Sequence, residues 1–99
     1  MTPKYRRIVT GHNAEGKAKV LIDDLVPNVS SGRPGHGSHV IWTSTDLPLK
    51  FVEDGEDLGA RDIGTTIENG SVFRIVEYAP GVSPRNHRTE SIDYAVVMS

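Results

Sequence analysis

The pair best suited to chemistry in this sequence is a histidine and, six residues later, an aspartate: His87 and Asp93. His87 stands six residues after the turn glycine Gly81, at the head of an extended run that reaches Ser99. Three uses of such a pair follow from its chemistry. A neutral imidazole and a carboxylate can each bind a divalent metal at about 2.1 Å. A histidine oriented by an aspartate can act as a general base near neutral pH, taking a proton from a phenol, an enol or a carbonyl compound. The third use is structural, a buried hydrogen-bonded pair inside a sheet. On a strand, residues i and i+2 point the same way, so Thr89 shares the face of His87, and Asp93 is expected to return to it after a turn. The hydroxyl of Thr89 is a poor ligand for a soft or borderline ion, which leaves two protein donors and a weak site.

Strands must position these residues. Tyr5 to Thr10 and Lys17 to Ile22 form an expected opening hairpin around a turn from Gly11 to Gly16, whose two glycines can take positive φ. Asp23 to Gly37 reads as an irregular loop, and His39 to Thr43 as a brief strand with the single tryptophan. Asp46 to Thr66 is a long surface connection with room for a helical turn. Ser71 to Tyr78 is the strongest strand, entered by Asn69-Gly70 and left by Pro80-Gly81. The last expected strand is Ser91 to Ser99. Its two faces, Ile92-Tyr94-Val96-Met98 and Asp93-Ala95-Val97, are both largely apolar, so it should be buried on both sides. No stretch repeats apolar residues with a helical period, and an all-β barrel or sandwich is the expected class.

Composition narrows the function. A chain of 99 residues has room for one domain. The 11 basic and 13 acidic residues balance to a net charge of -2, which gives no reason to expect nucleic acid or an anionic membrane as partner. There is no cysteine, so a metal site would draw on histidine, carboxylate, hydroxyl or water. With a mean hydropathy of -0.34 and no apolar run near the ~20 residues of a membrane helix, a soluble cytoplasmic protein is expected.

Other polar clusters read as bland. Gly35-His36-Gly37-Ser38-His39 is expected to be a flexible loop that happens to hold two histidines, and His12 a turn cap. The run Glu53-Asp54-Gly55-Glu56-Asp57 is a solvated loop, and Arg6-Arg7 a solvated strand start. Trp42 and Phe73 are candidate substrate-facing aromatics, with a place in the core as the alternative for Trp42.

From Gly81 onward the chain resembles the first conserved motif of the cupin superfamily: a glycine, five residues, His87-Arg88-Thr89, three residues, Asp93, and then Tyr94 to Ser99. Gly70 to Glu77 and Arg7 to His12 are similar to small single-domain cupins of fungi and bacteria. The resemblance implies one incomplete domain over 1–99, a cupin-like jelly-roll β-barrel represented by its N-terminal part. It implies an oxidoreductase of secondary metabolism acting on a small aromatic or polyketide-type metabolite. By the same resemblance His87 is the catalytic candidate. His87 and Asp93 are the candidate ligands of Fe, Mn or Zn, with Thr89 where the family carries a further histidine, or there is no metal at all. The alternative is a non-catalytic binding or dimerisation module, pairing through the Ser91 to Ser99 strand, or an inactive truncated cupin.

Overall fold

A computed structural model describes residues 2–46, 48 and 56–99. The described residues are all-β with antiparallel pairing, as expected of a cupin-like fold. They contain β1 (Arg6–His12), β2 (Ala18–Leu25), β3 (Val29–Ser30), β4 (His36–Ser44), a 3-10 turn (Leu58–Ala60) and β5 (Ser71–Tyr78). One sheet pairs β1 with β2, and a second runs β3-β4-β5. No described helix is long and apolar enough to cross a membrane.

The opening hairpin forms with a tighter turn than the glycines suggest. Asn13 organises it: its side-chain oxygen accepts from the amides of Glu15 at 2.9 Å and Lys17 at 3.0 Å. Gly16 takes a φ of +77°, a conformation that costs glycine little. Gly11, by contrast, is part of β1. The pairing skips Leu21, and the side chain of this extra residue packs where a Cβ on Gly11 would stand. Alternation along β1 turns Arg7, Val9 and Gly11 inward, opposite Asp24, Ile22 and Lys19 of β2.

β4 begins three residues earlier than expected, because β5 pairs along its whole length, from His36 opposite Tyr78 to Ser44 opposite Ser71. The glycine-rich histidine stretch is therefore strand, and Gly37, Ser38, His39 and Val40 are buried. The supposed loop after Asp23 also carries the end of β2 and all of β3. A second bulge lies at Ile41, skipped between the pairs Val40–Arg74 and Trp42–Phe73. Asn69, with φ of 52°, and Gly70 lead into β5 as expected.

Among the described residues few apolar side chains are fully buried: Val26 and Val40. Arg7, Ser38, His39 and Thr43 share that interior. Much of the described junction between the sheets is thus polar, and directed hydrogen bonds satisfy its buried groups. Arg7 corrects the expectation of a solvated strand start. Its side chain is 2% exposed. Its Nε donates to Asp24 at 2.7 Å, and its Nη1 donates to the bulge carbonyl of Ile41 at 2.9 Å and to Asp57 at 3.0 Å. Nη2 donates to Asp24 at 3.1 Å and also to Asp57. Asp57 in turn accepts from the amide of Gly59 at 2.9 Å, capping the 3-10 turn. One guanidinium fork therefore joins β1, β2, β4 and the turn. Of the acidic run read as a solvated loop, Glu53, Asp54 and Gly55 lie outside the described residues.

The expected strand from Ser91 to Ser99 does not form. Residues 83–99 are exposed and carry no regular element, with Ile92, Tyr94, Val96, Val97 and Met98 between 83% and 95% exposed. A strand needs a partner for its amides and for both apolar faces, and no described strand lies beside this one. The radius of gyration, 15.3 Å, exceeds the ~13 Å of a compact chain of this length, in keeping with an extended tail.

Candidate functional site

His87, Thr89 and Asp93 lie on that exposed tail. Nδ1 of His87 is 2.9 Å from the carbonyl of Arg85. Thr89 and Ser91 share a hydroxyl hydrogen bond of 2.7 Å, and Ser91 Oγ donates to Asp93 at 3.4 Å. Thr89, Ser91 and Asp93 thus form a local chain of alternate residues from which His87 is absent. The buried His87–Asp93 pair is not formed, because each group finds a partner within two residues while water surrounds both. Trp42 and Phe73 are cross-strand neighbours, Trp42 half-buried and Phe73 65% exposed.

These donors do not fit a metal centre. Among the described residues no group of three His, Cys, Asp or Glu side chains comes together. One imidazole and one carboxylate, each hydrogen-bonded elsewhere, lack the third donor that fixes a non-haem ion.

A second cluster, missed by sequence reasoning, does assemble. It gathers on the face of β5 that bears Glu77 and Ile75. His39 of β4 stands opposite Ile75 and is 0% exposed. Its Nε2 lies 3.9 Å from Glu77 Oε1, beyond hydrogen-bond reach. The Tyr5 ring meets the imidazole edge-on at 4.7 Å between centroids and 88° between planes. The Tyr5 hydroxyl donates to Glu77 Oε1, and Lys4 Nζ sits 2.6 Å from that same oxygen. The residues ahead of β1 thereby cross the second sheet as a strap, fixed also by the Val26 amide donating to the Tyr5 carbonyl at 2.7 Å.

Charge follows this geometry. Glu77 is held below the ordinary carboxylate range by hydrogen bonds, first from Lys4 and then from Tyr5. Lys4 is raised by its bond to Glu77, and so is the Tyr5 phenol. Both ring nitrogens of His39 lack a hydrogen-bond partner among the described residues. The other histidine of the stretch, His36, has its Nδ1 3.4 Å from the Gly32 amide and its ring tilted on Tyr78 at 5.4 Å. Burial and then the cations Arg33, Arg74 and Arg85 hold its pKa below the usual value. One signal for the missed cluster was available: Glu77 alternates onto the same face as Ile75 within the most apolar strand. The partner supplied by Tyr5 was not.

Comparison with known proteins gives a consistent set. The chain is 32% identical over 95 residues to the cupin-domain-containing oxidoreductase fogC of Aspergillus ruber, covering 93% of this chain and 47% of that protein. It is 32% identical over 95 residues to the cupin-domain-containing oxidoreductase virC of Hypocrea virens, covering 93% and 49%. It is 33% identical over 100 residues to the phomopsin biosynthesis cluster protein C' of Diaporthe leptostromiformis, covering 93% and 52%. The chain spans about half the length of the curated relatives it matches. No family model matches it.

Proposed function

We propose that this chain, a member of the cupin superfamily by the relatives it matches, contributes to a cupin-type oxidoreductase of fungal secondary metabolism. Its proposed substrate is a small aromatic or polyketide-type metabolite. The observation that carries this reading is 32% identity, over 93% of the chain, to two proteins named cupin-domain-containing oxidoreductases. His87 is the proposed catalytic group. In a pocket its imidazole would accept the proton of a phenolic or enolic hydroxyl, with Asp93 stabilising the imidazolium that results, and dioxygen, the proposed oxidant, would take two electrons from the phenolate or enolate and leave as hydrogen peroxide. Trp42 and Phe73 are proposed to lie against the substrate ring. The proton step as proposed uses no metal.

Mass spectrometry of phenolic and enolic aromatic compounds incubated with the chain in air tests the reading. The expected result is an oxidised product whose rate falls about 10²- to 10⁴-fold in His87→Ala. An unchanged rate in that variant refutes the role of His87. Iron, manganese or zinc bound stoichiometrically, and lost with His87, would refute the metal-free step.

The exposed apolar side chains from Ile92 to Met98 favour a second reading, a homodimer assembled through this segment. Light scattering after size exclusion would then give twice the chain mass, reverting to the monomer in Val96→Lys. A monomer at all concentrations removes it.

A further inference from the structure

The strap over His39 has features of a bound ligand. A buried imidazole whose partners are all structural spends its hydrogen bonds on them. His39 is 0% exposed and spends neither nitrogen among the described residues. Tyr5 stands against it and yet passes its hydroxyl to Glu77 alone. The gap between His39 Nε2 and Glu77 Oε1 is 3.9 Å. With hydrogen bonds of about 2.8 Å, one oxygen can lie between these two atoms and reach both, at an angle near 90°. A phenol oxygen meets that demand, because it donates its one proton to the carboxylate and accepts from the imidazole N–H. The Tyr5 backbone is tied to Val26 at 2.7 Å, and its hydroxyl, bonded to Glu77, makes no hydrogen bond with His39. The Glu77 side chain is 29% exposed, so solvent reaches the slot from its carboxylate end.

We propose that Tyr5 is a self-ligand, its ring filling a slot between His39 and Glu77 that binds a small free phenol when the Lys4–Tyr5 strap lifts. The slot is separate from His87, and the proposal stands independently of the cupin-type activity. The tether gives Tyr5 an effective concentration of order millimolar, so a free phenol competes poorly in the intact chain and well once the ring is removed. Specificity resides in the hydroxyl. A site built to bond an O–H discriminates against the analogue that lacks it, because its own polar groups are then left unpaired.

Titrating p-cresol and toluene into Tyr5→Ala, followed by calorimetry and thermal melting, tests this. These two probes differ only in the hydroxyl. We expect saturable p-cresol binding at least about tenfold tighter than toluene, the worth of one hydrogen bond. It should also be at least about tenfold tighter than p-cresol binding to the intact chain, and the preference should vanish when Glu77→Leu is added. Equal binding of the two probes would reveal a featureless cavity and overturn the proposal, as would no binding. Where Tyr5→Ala does not fold, nuclear magnetic resonance of the intact chain decides. Shifts of the His39 ring and Tyr5 amide with p-cresol and not with toluene support the slot, and their absence up to the solubility limit overturns it.

Discussion

Removing the Arg7 guanidinium should unfold much of what joins the two sheets. In Arg7→Ala the fork is lost, and two carboxylates remain on one side of a polar interior. Asp24 is 36% exposed and Asp57 28%, so water partly recovers each. The Ile41 carbonyl, turned out of the ladder by its bulge, loses its donor as well. Breaking a fully buried pair costs roughly 3–5 kcal/mol, and partial exposure of the carboxylates argues for the lower end, about 3 kcal/mol. Set against the ~5–15 kcal/mol total of ordinary domains, that is a large share for a chain in which Val26 and Val40 are the fully buried apolar residues among those described. In a domain of this size such a loss lowers Tm by about 12–24 °C and shifts the urea midpoint by about 1–3 M. Arg6 is the internal control. It makes the same two-bond fork, to Asp23 at 2.8 Å, but in solvent, and Arg6→Ala should cost at most about 1 kcal/mol. Arg7→Lys keeps the charge and loses the fork, and should fall between the two. Urea unfolding of all three variants measures the contrast. An Arg7→Ala midpoint equal to that of Arg6→Ala would refute the reasoning, since it would mean that water already solvates the Arg7 network.

Three further outcomes follow from the same fold. Gly59→Ala should destabilise the chain by about 1–3 kcal/mol in urea unfolding, because a Cβ there meets the Ile41 carbonyl and Arg7 Nη1, the two ends of one hydrogen bond. The strap should loosen at both extremes of pH. Glu77 has a depressed folded pKa, so its contribution is complete above the ordinary carboxylate value of about 4.3 and fades as pH falls through the lower folded value. Lys4 and Tyr5 have raised folded values, so theirs is complete below about 10 and fades as pH rises through them. Ring resonances of Tyr5 and His39 followed across pH should report both transitions, and Glu77→Gln should abolish the acid one. His87→Ala should leave the unfolding free energy in urea within about 0.5 kcal/mol of the parent chain, as for an exposed side chain bonded only to a neighbouring carbonyl; a larger loss would mean that His87 is packed.

Most strands could be read from local chemistry. β5 follows a turn dipeptide, Asn69-Gly70, that the structure uses as such, and the hairpin of β1 and β2 surrounds a polar turn as expected. The relation to cupins was also legible, in residue types and spacing that do not depend on where a side chain ends up. Local pattern failed where a residue's state depends on distant chain. Arg7 looks like a solvated cation until Ile41, 34 residues on, and Asp57, 50 residues on, close around it. His39 looks like part of a loop until β5 pairs with β4 and Tyr5 covers it. The tail shows the converse: its apolar alternation predicts a strand, and no described edge meets it. Side-chain type and period are written in the sequence, whereas burial and pairing are properties of two segments together. A charge or an imidazole acquires its role when folding removes the water around it and supplies a partner.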